Sequence, residues 1–428
     1  MRSAGRVAAA IEVLFDVLER RRPVADGVRD WGLSHRFAGS GDRAAVGNLV
    51  YDALRWRRSS AWRADDEAAR GVVLATLRWR WGIGPADLAR LADEAHGPGA
   101  LNDAERAMLE ADRLADAPDD VRADVPDWLA PALEDNFGEE WVAECAALAA
   151  RAPIDLRVNT LKSDRPRVLS TLARWGAEPI PVSPVGVRLP PRAGWERAPN
   201  VTHMDVYQRG HVEVQDAGSQ AAALMVLAHP GEQVLDLCAG AGGKTLAIAA
   251  QMDNRGQVHA TDADQGQLAP IYERLRRAGV RNVQVHRAGA DLSALERRMD
   301  KVLVDAPCSG SGTWRRRPDT KWRLSEEAIA RREAEQAAAL DDARRYVRPG
   351  GALVYVTCSV LPQENEAQVA AFLDRAADFT LTSTADAWAE VAGEAAPKPW
   401  SAEGLMMTMT PAATGTDGFF VAVLKRDG

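Results

Sequence analysis

The chain has 428 residues, of which 46% are hydrophobic and 27% charged, and its formal net charge is −8. That length exceeds one ordinary domain and sets an expectation of two or three. The negative balance excludes a uniformly basic coat of the histone type, so a polyanion partner must meet a local basic surface. Only six of the 53 basic residues are lysine, so each lysine stands out, because ammonium and guanidinium groups are not interchangeable. The four cysteines, at 145, 238, 308 and 358, form no C-x-x-C, and the seven histidines are scattered, so no metal site is expected. The N-terminal stretch is amphipathic and charged throughout, unlike a signal peptide. No uncharged apolar run reaches the roughly 18 residues of a membrane span. These features predict a soluble, cytoplasmic protein of a reducing compartment, without membrane association, and a monomer by default.

Residues 1–145 read as an all-helical domain. Val7, Ile11, Leu14, Phe15 and Leu18 recur at three and four spacing, as do Val46, Leu49, Val50, Ala53 and Leu54. Trp56, Trp62, Trp79 and Trp81 stand among arginines and read as core and rim packing. Residues 1–63 carry 12 arginines against 7 acids, whereas 101–144 carry 14 acids against 3 arginines. The acidic block reads as a solvated helical face that cannot lie on a phosphate backbone.

Residues 146–215 read as a small α+β module. Ile154 to Val158 is strand-like, LSTLARWGA reads as a helix ending at Gly176, and the proline-rich run after it is extended. From 216 to 428, strands and helices alternate. Strands are expected at 234–238, 257–262, 283–286, 301–307, 352–358 and 418–426. Helices are expected from near Lys244, over 264–278, 325–347 and 363–375, with a turn at Pro349-Gly350-Gly351. This pattern predicts βαβ units in a mainly parallel, Rossmann-like sheet with helices on both faces.

Ligands of such sheets bind beyond the carboxyl ends of the strands. Strand one ends in Asp236-Leu-Cys238-Ala239-Gly240-Ala241-Gly242-Gly243-Lys244-Thr245 and strand two in Asp262. Asp291 follows strand three, strand four ends in Asp305-Ala-Pro-Cys308, and strand five ends in Thr357-Cys358-Ser359. The glycine-rich turn misses the dinucleotide fingerprint, because position 245 is Thr. It misses the phosphate-cradling P-loop too, because position 238 is Cys. An acid, small residues and a second acid remain, which suits the adenosyl group of S-adenosylmethionine, with Asp262 accepting from the ribose hydroxyls. A nucleotide-dependent enzyme using Gly243-Lys244-Thr245 is the competing reading.

Two cysteines at neighbouring strand ends suggest carbon methylation of a pyrimidine. C5 of cytosine is a poor nucleophile until a thiolate adds to C6, which splits one hard step into easier ones. The thiolate must be favoured locally, since a free thiol with pKa ~8.5 is mostly protonated at neutral pH. Asp305 could bind the base edge, and Lys244 could supply charge or move a proton. Spacing leaves open which thiol attacks.

The strings LDLCAGAGGKT, DAPCSGSGTWRRRPDTKW and YVTCSVLPQENE, with RVNTLK and VQDAGSQ upstream, resemble the RsmB/NOP2/Sun family of RNA 5-methylcytosine methyltransferases. The resemblance covers roughly 150–428 and implies a class I S-adenosylmethionine-dependent methyltransferase fold. It implies Cys358 as nucleophile, Cys308 as the thiol that assists product release, and Asp305 and Lys244 beside them. Cofactor contacts are implied for Cys238, Ala239, Gly240, Ala241, Gly242, Gly243, Lys244, Asp262, Asp291 and Asp305. Where the family has Ala-Pro before Gly-Gly-Lys, this chain has Gly240-Ala241. The helical region, with SGDRAAVGNLVYDALRWRRS, is similar to the NusB-like RNA-binding domain of the bacterial rRNA members, and 146–215 to an RRM-like module. The implied partner is RNA, above all rRNA, with the target cytosine single-stranded or flipped out. Thr313 to Arg323 interleaves Arg315, Arg316, Arg317, Lys321 and Arg323 with Trp314 and Trp322, and reads as an RNA-facing strip. A catalytically inactive RNA-binding or ribosome-assembly factor is the alternative, and the presence of both thiols, Asp305 and Lys244 speaks against it.

Overall fold

The computed structural model describes residues 1–401 and 404–428. The chain divides into two compact units, one of Met1–Ala152, Pro191–Pro199 and Trp314–Leu324, the other of Pro153–Pro190, Asn200–Thr313 and Ser325–Gly428.

The first unit is helical, as the three-and-four periodicity predicts. Helices Ser3–Glu19, Val24–Ser34, Ser40–Arg55, Ala69–Trp79 and Pro85–Asp93 bury Val7, Leu14, Leu49, Leu54, Leu74, Leu77 and Leu88 in one core. Trp56, Trp62, Trp79 and Trp81 are half-buried at its rim. Most of the acidic block is exposed, but Asp124 and Glu144 are buried.

The segment after Cys308 corrects the expected RNA-facing strip. Trp314–Leu324 belongs to the helical unit, and Trp314, Arg315 and Lys321 are buried within it, leaving Arg317 and Arg323 exposed. The Trp322 indole N–H donates to the Leu54 carbonyl at 2.7 Å, and the Arg55 guanidinium donates to the Arg315 carbonyl at 2.8 Å. Lys321 Nζ lies 4.7 Å from the Trp322 ring centroid and 5.7 Å from that of Trp314. Here the aromatic bulk and the lysine stem close a core, and the charge is carried inward with them.

The second unit holds two sheets. In the smaller, β1 (Ile154–Val158), β2 (Glu178–Pro179), β3 (Gly186–Leu189) and β4 (Val212–Val214) run antiparallel in the order β2-β3-β1-β4. Helix Arg165–Leu172 is capped by the Asp164 side chain, and its following turn closes at Gly176 with φ 72°.

The larger sheet contains β5 (Gln233–Asp236), β6 (Gln257–Ala260), β7 (Val283–Val285), β8 (Met299–Asp305), β9 (Val347–Thr357), β10 (Phe379–Leu381), β11 (Met406–Met409) and β12 (Phe419–Arg426). The order is β10-β12-β9-β8-β5-β6-β7, with β11 paired to β12. β5 to β9 are parallel, and β12 runs antiparallel to β9 and β10. From β5 the chain winds outward through β6 and β7, then returns to the other side of β5 as β8. The topological switch therefore lies between β5 and β8, where a ligand crevice is expected. Strands β10 and β11 and helix Thr384–Ala392 lie outside the expected elements. Pro349-Gly350-Gly351, expected as a turn, falls inside β9 as an irregular stretch with Gly350 at φ 71°. The helix expected over 264–278 is two, Gln265–Leu268 and Ile271–Ala278, broken beside Pro270.

Candidate functional site

The rim around this switch gathers most of the residues singled out from the sequence. Beyond β5 the chain turns through Gly240 at φ 50° and Gly242 at φ 82° into helix Gly243–Gln251. Gly242 is required twice over. Its φ disfavours side chains, and a Cβ there would stand 2.4 Å from Cγ1 of Ile271. Gly240 has no atom within 4 Å of where a Cβ would project, so its backbone lies open to a ligand. The Ala241 carbonyl accepts from Arg274 Nη1 at 2.7 Å, which pins the turn from outside.

Four acids were expected at this rim. Asp262 accepts the Gly240 N–H at 2.8 Å and the Asp264 N–H at 2.8 Å, one on each oxygen. Each carboxylate oxygen keeps a further acceptor site, which suits a ribose diol. Asp236 is fully buried and accepts from Thr245 Oγ1 at 2.6 Å, while its other oxygen has no partner. Burial pushes Asp236 up to about 7 against the pull of Thr245. Asp305, one-third exposed, accepts from Lys244 Nζ at 2.6 Å, and that ammonium also lies 5.2 Å from the Phe419 ring centroid. Asp291 stands apart in character. It is exposed, it caps the turn at Ser293 by accepting that N–H at 2.9 Å, and this holds its carboxyl below the ordinary range.

The Lys244 pairing separates the two ligand readings. A P-loop lysine must be available to a phosphate, whereas this one is 7% exposed and committed to a carboxylate. An open glycine turn, an acid with spare acceptor sites at the end of β6 and acids near a cationic group fit an adenosyl sulfonium ligand.

The thiols meet. Cys308 Sγ and Cys358 Sγ are 3.4 Å apart, both free and half-buried. The neighbouring Cys358 sulfur and then burial hold Cys308 well above the ordinary thiol range, so it is a protonated neighbour. The other two cysteines are set apart by their surroundings. Burial pushes Cys145 up to about 12, and burial together with Asp236, Asp305 and Asp262 pushes Cys238 up strongly. Cys238 thus contributes to the turn as a small residue with an inert thiol.

Sequence reasoning missed Glu364. It is fully buried, and it accepts hydrogen bonds from Ser309, Ser359 and Gln336. The string QENE contained it, but nothing in the string separates Glu364 from Glu366. The partnership of Arg274 with Glu213 and Ala241, which joins a helix to the glycine turn across distant sequence, was equally invisible.

The chain also has matches among known proteins. Residues 223–425 match the family described as 16S rRNA methyltransferase RsmB/F, and 125–193 match the RsmF/B-like ferredoxin-like domain. The chain is 35% identical over 309 residues to ribosomal RNA small subunit methyltransferase B of Escherichia coli, covering 71% of this chain and 67% of that protein. It is 37% identical over 263 residues to the protein of the same name from Citrobacter koseri, covering 60% of each. The matched stretches thus span 60 to 67% of these two relatives. A methyltransferase homolog from Pyrococcus horikoshii, 26% identical, superposes with a TM-score of 0.59 over 72% of this chain and 97% of that one. The crystal structure of PH0851 shares the fold across the whole chain, with a TM-score of 0.72 at 24% identity, covering 100% of this chain and 99% of that one.

Proposed function

Since this chain belongs to the RsmB/F family of 16S rRNA methyltransferases, we propose that it methylates C5 of a cytosine in rRNA through a covalent cysteine adduct. S-adenosylmethionine, the cofactor of this fold and family, supplies an electrophilic methyl group when bound. Gly240, Asp262 and the turn over 238–244 would hold it, with Asp305 nearby and exposed Asp291 contributing least.

The observation that carries the reading is the pair of thiols 3.4 Å apart at the ends of β8 and β9. Cys358, as thiolate, adds to C6 of the ring, and the electron pair moves to C5, which takes the methyl group. The Asp305 carboxyl binds the base edge, and Lys244 holds that carboxylate in place through a charge-assisted hydrogen bond. The C5 proton must then leave, so that the C6–S bond breaks and Cys358 is expelled. Cys308 is suited to take that proton. While Cys358 is free, its sulfur is the main reason that Cys308 stays protonated. Once Cys358 is a thioether it carries no charge to oppose a second thiolate, so Cys308 passes its own proton to water and its thiolate takes the C5 proton. The target base must enter this crevice as an unpaired or extruded nucleotide. An inactive assembly factor would have no use for two facing thiols, one of them three residues from an aspartate paired with a buried lysine.

The test is tritium release from rRNA labelled at C5 of cytosine, transcribed without modification. One tritium released per methyl transferred supports the reading. Methylation without tritium release contradicts it.

A further inference from the structure

Glu364 closes the short helical turn Pro362–Glu364 and is fully buried. Its Oε1 accepts from the Ser309 N–H at 2.7 Å and Gln336 Nε2 at 3.1 Å. Its Oε2 accepts from Ser309 Oγ at 2.5 Å and Ser359 Oγ at 2.6 Å. Ser309 follows Cys308 directly, and Ser359 follows Cys358 directly. Gln336 also donates to the Pro307 carbonyl at 2.9 Å, just before Cys308. The backbone of Glu364 is held as well, because Tyr355 donates its phenol O–H to the Glu364 main-chain carbonyl at 2.7 Å.

A buried carboxylate is tolerated only when its acceptor sites are filled, and this one accepts from four donors. Three of those donors come from the two thiol-bearing loops, which are 50 residues apart in the chain, and the fourth is Gln336 of helix Glu326–Ala343. A second hydroxyl contact, Ser311 Oγ to Ser359 Oγ at 2.9 Å, stitches the same loops but carries no charge.

We propose that Glu364 is the positioning residue that sets the two thiols against each other, with Ser309 as its arm to Cys308 and Ser359 as its arm to Cys358. The catalytic consequence rests on the function proposed above, in which both thiols act on one base. The positioning itself does not. Removing the carboxylate lets the loops part, and misplacement by about 1 Å can slow a positioned reaction on the order of a hundredfold. The two arms separate the steps. Weakening the Ser359 arm slows formation of the adduct, and weakening the Ser309 arm slows its release.

The experiment uses the full chain as Glu364→Gln, Glu364→Ala, Ser309→Ala and Ser359→Ala. The first readout needs no RNA. The azo oxidant diamide takes two electrons and two protons from the thiols, forming the Cys308–Cys358 disulfide and its own hydrazine, and peptide mass spectrometry follows the closure rate. Binding of S-adenosylmethionine reports that each variant is folded. The second readout is kcat and KM for rRNA methylation.

Closure and kcat are expected to fall roughly 10-fold in Glu364→Gln and roughly 100-fold in Glu364→Ala, with KM and cofactor affinity within about twofold. Ser309→Ala accumulates protein–RNA adduct, whereas Ser359→Ala forms it more slowly. If Glu364→Ala fails to bind cofactor, Glu364→Gln and the serine variants carry the test. A folded Glu364→Gln that closes its disulfide at the wild-type rate and keeps wild-type kcat overturns the proposal. If the wild-type protein releases no tritium from C5-labelled RNA, the function reading falls, while the closure rates still decide whether Glu364 positions the thiols.

Discussion

The stretch from Asp305 to Leu324 supplies two regions of opposite physics within twenty residues. At the sheet rim, Cys308 faces Cys358, and Asp305 is one-third exposed against a buried Lys244. Six residues after Cys308 the chain enters the helical unit, where Trp314 and Lys321 are 1% exposed. Both regions bury a lysine. Lys244 is neutralised by a carboxylate at 2.6 Å. Lys321 is set against the Arg55 carbonyl at 3.4 Å and two indole faces, and burial pulls it down to about 8. In one place a buried charge is paired with a carboxylate at the sheet rim, and in the other it accompanies aromatic bulk into a core. A string of basic and aromatic residues is therefore not enough to mark an RNA surface.

Variants can sharpen or break that contrast. Trp314→Ala removes a fully buried indole, and is expected to lower unfolding stability by about 3–5 kcal/mol in denaturant titration. A loss below 1 kcal/mol would place Trp314 outside the helical core. Lys321 has its folded pKa near 8, below the ordinary value of 10.5. Between those values the unfolded chain binds more protons, so stability should rise with pH across this window, by about 3 kcal/mol in full. Lys321→Met should lack that rise, so that its advantage over wild type shrinks as pH climbs from 7.5 to 10. Parallel stability profiles would refute the buried, depressed lysine. At the rim, Lys244→Ala should reduce methyl transfer about a hundredfold, with only about 1 kcal/mol lost in stability because the Asp305 carboxylate can reach water. An equal loss of stability at both lysines would erase the distinction. The smallest effect belongs to Asp291→Ala. Loss of an exposed turn cap should leave the unfolding midpoint close to that of wild type, with cofactor affinity by calorimetry within about threefold of wild type. A tenfold loss would make Asp291 a genuine cofactor ligand.

Much of the larger sheet was legible because its strands are buried on both faces and read as continuous apolar runs between glycine turns. The ends of β5, β6, β8 and β9 carried their chemistry in the sequence, so Asp236, Asp262, Asp305 and both thiols could be named. The fringe strands β10 and β11 were not readable. They are three and four residues long, and their pairing with β12 is a tertiary fact. The burial of Trp314 to Lys321 was hidden for a related reason, since its partners Leu54 and Arg55 lie some 260 residues earlier. Glu364 was hidden because its importance rests on convergence. Its four donors come from residues 309, 336 and 359, and no local pattern joins them.

The two-thiol mechanism is the central claim, and trapping of the covalent intermediate tests it most directly. Cys308→Ala and Cys358→Ala proteins are incubated with unmodified rRNA and S-adenosylmethionine, and protein–RNA adducts are resolved on denaturing gels. Cys308→Ala is predicted to accumulate an adduct stable to denaturation, because the base that frees Cys358 is gone. Cys358→Ala is predicted to form none and to lose methyl transfer by on the order of 10⁴-fold. Full activity in Cys358→Ala, or an adduct that persists without Cys358, would contradict the account.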